Sequence, residues 1–224
     1  MSETKDKEKK TIADKISAWI TKYRFVLFGL IGVAIVAVIV VALTTGLSES
    51  VRKNALNELD SIVYPLTQSS DEDLKAVQDE SLPKLQQLAE KNADNVAGAR
   101  AYMVIAEIYF NRQEWASAAQ AWQNAASSDI DAYTAPICYY NAAACYEELS
   151  DLPNAIALYE KALADENCMF VPHVLFTLGR VNEEAGNYSV AVEKYNKLTS
   201  EYPSDDWANL AKSRLIQLSI DGKI

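Results

Sequence analysis

His173 is the only histidine among the 224 residues. A His-based triad therefore lacks partners, and a metal site would need other ligands. Cys138, Cys145 and Cys168 are the three thiols. Cys138 and Cys145 fall on one expected helix, about 10 Å apart along its axis, too far for a disulfide. Cys168 can approach either only through tertiary folding. Ile137, Tyr139, Ala144 and Tyr146 flank the first two, which suits small buried packing residues, and no CxxC or paired histidines offers a metal or redox site. Glu147–Glu148 and Glu183–Glu184 are carboxylate pairs of the kind acid–base catalysis uses, yet on helices such pairs are most often solvated faces. Of the seven glycines, two lie inside an apolar run, and no phosphate-cradling loop is present. No catalytic constellation, cofactor or metal site emerges, and the expectation is a protein without enzymatic activity.

The elements around these residues repeat. Tyr109, Ala118 and Trp122 share their spacing with Tyr146, Ala155 and Tyr159, and with Asn182, Ala191 and Tyr195; the first positions lie 37 and then 36 residues apart. Small and aromatic residues at such a period mark stacked helix pairs, because one pair cannot bury its apolar face alone. The expected pairs are 96–112 with 115–127, 134–149 with 154–165, and 171–185 with 188–200. Gln113 and Glu114, Ser150 and Asp151, and Gly186 and Asn187 are the turns within each pair. Pro136 and Pro172 suit first helical turns, and Pro203 is a stop. Trp207, Leu210, Ala211, Leu215 and Leu218 then predict an amphipathic helix within 204–224 that caps the stack.

Residues 44–95 read as a helical stalk and a degenerate first repeat. Pro65 and the polar stretch 67–73 interrupt the stalk, Ser70 and Asp73 have the form of a capping box, and Pro83 is compatible with a new helix start. Ser81 and Leu85 stand where Ala118 and Trp122 stand one repeat later; whether this segment folds as a true repeat is open at this level.

Residues 25–43 contain no charge and no amide, and a helix of about 20 such residues spans a bilayer core. Residues 1–24 carry a net +3 and the remainder −13. Positive charge stays on the cytoplasmic side, so the expectation is a single transmembrane helix with a cytoplasmic basic tail and the repeats outside, in a bacterium on the periplasmic side of the inner (cytoplasmic) membrane. A cleaved signal peptide competes with this anchor, with Val40 and Ala42 as small residues before a cut; the apolar region is longer than signal peptides use. Ile12, Ile16, Trp19, Ile20 and Tyr23 form either a short interfacial helix or an early start to the span. The acidic repeat segment excludes nucleic acid as a partner, since phosphate binding needs basic surface.

The units resemble tetratricopeptide repeats. Unit one reads Tyr102, Ile105, Ala106, Tyr109, Ala118, Trp122, Ala125; unit two Tyr139, Ala142, Ala143, Tyr146, Ala155, Tyr159, Ala162; unit three Leu175, Leu178, Gly179, Asn182, Gly186, Ala191, Tyr195, Leu198, Pro203. The match covers 96–203. It departs in its longer period, in lacking the family's tryptophan, and in Asn182 where an aromatic is usual. The fold expected is all-α: an N-terminal transmembrane helix followed by a helical-repeat solenoid with a C-terminal capping helix. In this family the first helix of each pair lines the concave groove. That implies Arg100, Met103, Glu107, Phe110 and Asn111 in unit one, Ile137, Tyr140, Ala144, Glu147 and Glu148 in unit two, and His173, Phe176, Arg180, Glu183 and Glu184 in unit three as partner-binding positions. The alternative for Met103, Phe110, Tyr140 and Phe176 is packing against the next helix. Met103 and Glu107 stand where the family's chaperone-tail clamp needs lysine and asparagine, so that ligand class is not expected.

Topology, length and repeat type together are similar to the YfgM-like ancillary proteins of the SecYEG translocon. This implies an adaptor or co-chaperone in envelope protein biogenesis, with the translocon, periplasmic chaperones and other proteins or peptides as partners and the lipid bilayer reached through the anchor. Two rival readings are a scaffold for another envelope machine, in division, secretion or cytochrome assembly, and self-assembly into a homo-oligomer.

Overall fold

The computed structural model describes residues 12–128 and 133–224. All secondary structure among them is helical: α1 (Ile12–Gln68), α2 (Asp71–Lys91), α3 (Val96–Asn111), α4 (Trp115–Ser128), α5 (Ala135–Glu148), α6 (Leu152–Ala164), α7 (Val171–Glu184), α8 (Tyr188–Glu201) and α9 (Asp206–Ile220). The chain divides into two units, Met1–Val51 and Arg52–Ile224.

In the first unit most of the described large apolar side chains are exposed. Phe25, Val26, Phe28, Leu30 and Val33 are each more than 60 % exposed. Among the described residues no single helix is long and apolar enough to cross a membrane; Ile16–Val26 and Phe28–Ala42, bent by 53° to one another, meet that test only as a pair. The second arm reaches roughly 22 Å at 1.5 Å per residue, short of a bilayer core of about 30 Å. The first arm carries Trp19 and Tyr23, whose rings lie 5.5 Å apart. The first eleven residues of the basic tail lie outside the described residues.

The second unit is built from antiparallel helices whose small and aromatic positions interlock. Ala118, Trp122, Ala155, Tyr159, Ala191 and Tyr195, the recurring residues of the sequence pattern, are all buried. One apolar cluster runs from Ala55 and Leu59 of α1 through α2–α6 to Val174, Leu178 and Val181 on one side of α7. A second joins Leu175 of α7 to α8 and to Ala208, Ala211 and Leu218 of α9. Thus α7 carries core on two faces, and α9 covers the open end. Leu210, expected on the covering face, is exposed instead.

The turn within each pair has one form. Gln113, Ser150 and Gly186 have φ of 60°, 57° and 77°. Each N–H donates to the carbonyl three residues back, and the next N–H reaches Tyr109, Tyr146 or Asn182 at 2.9, 2.9 and 2.8 Å. This left-handed helix stop satisfies carbonyls that the helix end would leave unbonded. It also assigns a backbone role to the first position of the repeat pattern.

The expected interruption falls at residues 69–70, inside the polar stretch, while Pro65 lies within α1 and Pro83 within α2. Ser70 is the N-cap of α2, but its hydroxyl donates to the Asp73 carboxylate at 2.8 Å instead of accepting a backbone N–H. Ser81 and Leu85 are buried, as are their counterparts Ala118 and Trp122, so α2 takes the place of a second helix one step before α4. Asn182, the departure in unit three, is buried and bonds the Leu178 carbonyl at 2.8 Å. Beside it Gly179 admits the Tyr195 ring so closely that an added Cβ would lie 2.3 Å from it.

Candidate partner-binding face

The first helices α3, α5 and α7 carry the positions that the groove reading selects, and α9 follows them in the stack. From α5 to α9 that face is occupied by the protein's own side chains. The Tyr140 hydroxyl lies 3.0 Å from His173 Nε2 and 3.1 Å from Thr177 Oγ1. His173 stacks on Trp207 at 4.2 Å, and Phe176 meets Trp207 at 5.2 Å and Tyr195 at 5.8 Å. Desolvation raises the Tyr140 pKa and lowers that of His173, which favours the neutral form of each. The lone histidine is an aromatic packing residue with a hydrogen-bond partner.

Charge closes the same layers. Tyr159 donates its hydroxyl to Glu147, and Arg180 donates to the other Glu147 oxygen at 2.5 Å. One repeat later, Tyr195 donates to Glu183 at 2.5 Å and the Arg214 guanidinium grips both Glu183 oxygens. Burial pushes the Glu183 carboxyl up, but Arg214 and Tyr195 more than reverse this and hold it below the ordinary carboxylate range. Each rung takes a tyrosine from its own second helix, a glutamate from its own first helix and an arginine from the helix pair or cap that follows. Glu147 and Glu183 are therefore not the solvated faces that doubled glutamates suggest: their side chains are 16 % and 9 % exposed. On the second-helix side Lys194 of α8 pairs with Glu160 of α6 at 2.6 Å.

The layer between α3 and α5 is different. Phe110 stands where Glu147 and Glu183 stand, Trp122 replaces the tyrosine, and Ala144 occupies the arginine position. Phe110 is 39 % exposed, with one edge on Trp115 at 4.9 Å. Trp122 is buried, and its Nε1 has no hydrogen-bond partner among the described residues. Glu107, Phe110, Asn111, Trp122 and Asn141 line a cavity of about 360 Å³. Partial desolvation raises the Glu107 pKa. Arg100 is exposed on the same helix, and Met103 is half-buried against the main core.

Cys138 and Cys145 are buried free thiols, pushed by desolvation up to about 12 and about 11, far from the thiolate that reactive cysteines need. Among the described residues no group of three His, Cys, Asp or Glu is placed to hold a metal ion.

The tetratricopeptide repeat family model matches residues 140–206. That stretch is similar to a tetratricopeptide repeat. A TPR repeat-containing protein of Treponema pallidum (strain Nichols) is 35 % identical over 150 residues, 66 % of this chain and 63 % of that protein; the chain thus spans less than two thirds of its relative. The crystal structure of MamA superposes with a TM-score of 0.46 at 17 % identity, over 62 % of this chain and 79 % of that one. The fold is an all-helical, tetratricopeptide-like solenoid, and repeats of this kind serve as protein–protein interaction scaffolds.

Proposed function

We propose that the chain is a membrane-anchored adaptor without enzymatic activity, whose tetratricopeptide-like stack holds protein segments outside the cytoplasm during envelope protein biogenesis near the translocon. The observation that carries the binding part is the unfilled layer between α3 and α5, where an exposed Phe110 and a buried, unanswered indole N–H border a cavity. Aromatic anchors beside polar groups are what docking peptides use. The anchoring part is supported by the bent apolar pair Ile16–Val26 and Phe28–Ala42, with Trp19 and Tyr23 suited to headgroup level. The basic flank supports a cytoplasmic N-terminus.

The test is photocrosslinking from Phe110 in intact membranes, with exposed Glu193 of α8 as control. Capture of translocase subunits or of many unfolded envelope proteins from Phe110 alone supports the biogenesis role. One discrete stoichiometric partner would replace it with a fixed scaffold, and recovery of the chain in the soluble fraction would remove the anchor.

A further inference from the structure

We propose that the cavity between α3 and α5 receives an arginine side chain presented by a partner polypeptide; this rests on the binding face proposed above and names its ligand. The argument comes from the two filled layers. There a guanidinium, Arg180 or Arg214, reaches across from the next element to a glutamate that also accepts from a tyrosine. In the α3–α5 layer the same three positions hold Ala144, Phe110 and Trp122. Ala144 ends at Cβ and delivers no cation, and Phe110 accepts no hydrogen bond.

What the layer keeps is complementary to a guanidinium. Glu107 supplies a carboxylate that pairs with no cation within salt-bridge distance among the described residues, and Asn111 and Asn141 supply amide oxygens. Phe110 and Trp122 supply aromatic surface. A guanidinium is planar, donates in several directions at once and stacks on rings, whereas an ammonium is a compact, strongly hydrated point charge. Trp122 borders the cavity, so its indole signal reports what enters it. The −13 charge of the chain beyond residue 24 draws basic segments toward this face.

The test uses the full chain in lipid nanodiscs with ¹⁵N-labelled tryptophan, the Trp122 indole signal being identified by its loss in Trp122→Phe. Three capped tripeptides, Gly-Arg-Gly, Gly-Lys-Gly and Gly-Glu-Gly, are titrated in turn. The arginine peptide is expected to move the Trp122 signal saturably. The lysine peptide, or the arginine peptide on Glu107→Gln, is expected to bind about tenfold more weakly, the cost of one charge-assisted hydrogen bond. Ala144→Arg, which supplies an internal guanidinium as Arg180 does, is expected to abolish the response with helicity and melting retained. Equal responses to all three peptides, a motionless Trp122 signal, or an Ala144→Arg variant that still binds would overturn the proposal. Phe110 crosslinks undiminished by Glu107→Gln would leave the adaptor reading standing and remove this one; a Trp122 response without any Phe110 crosslinks would do the reverse.

Discussion

The α3–α5 layer and the α5–α7–α9 layers are built on the same helix pairs and end in opposite states. In the latter, tyrosine, glutamate and arginine from three helices close the face, and Tyr140, His173, Trp207 and Phe176 pave it with rings. In the former, the counterparts are tryptophan, phenylalanine and alanine, and a cavity remains. A repeat scaffold thus keeps a cavity where the contacts between neighbours are withheld. Which layer stays open is decided by three side chains, not by the backbone.

The contrast can be broken most forcibly at Gly179. Its missing Cβ lets the Tyr195 ring settle beside α7, so Gly179→Ala should cost about 3 kcal/mol by overpacking, read as a fall in urea-unfolding stability. Ala106 holds the equivalent position in the open layer, and Ala106→Gly should cost only the helical propensity difference, about 1 kcal/mol. Next comes Tyr159→Phe, which removes the hydroxyl bonded to Glu147. A hydrogen bond to a charged partner is worth about 2 kcal/mol, and thermal melting should report that loss.

The turns give a smaller effect of both signs. Gly186→Ala should lose about 1 kcal/mol because φ is +77°. Ser150→Gly, at φ +57°, should gain by a similar or smaller margin, since glycine carries no steric penalty in that conformation.

The smallest effect is a pH response that differs between the layers. Glu183 has a depressed folded-state pKa, so its contribution is present above the ordinary carboxylate range and is lost as pH falls through the folded value. Glu107 has a raised one, so folding is favoured at low pH and that contribution is lost as pH rises through its folded value. Glu183→Gln should flatten the acid limb of the stability curve and Glu107→Gln should move it the other way. Denaturant midpoints measured across the acid range would reveal two changes of the same sign if the layers are alike.

The helix pairs and their buried small and aromatic positions were legible because their spacing is local and repeats. The rungs were not. Glu147 meets Tyr159 across one turn and Arg180 across another repeat, and a doubled glutamate on a helix looks the same whether solvated or clasped. The usable signal was the recurrence of glutamate one residue after Tyr146 and Asn182 with tyrosine twelve further on, and its absence at Phe110 and Trp122. Pro65 and Pro83 misled because proline removes one donor without obliging a helix to stop. The bend between Val26 and Phe28 had no counterpart in an apolar run that reads as uniform.

Each rung draws its arginine from the element that comes later in the chain, which gives the stack a direction in time. During synthesis a glutamate leaves the ribosome before the cation that will neutralise it. Until Arg214 of α9 arrives, Glu183 is an uncompensated acid at the growing end of the stack. A chain cut after α8 should therefore keep its earlier layers and carry an unanswered carboxylate, so that the state of Glu183 reports whether α9 has docked.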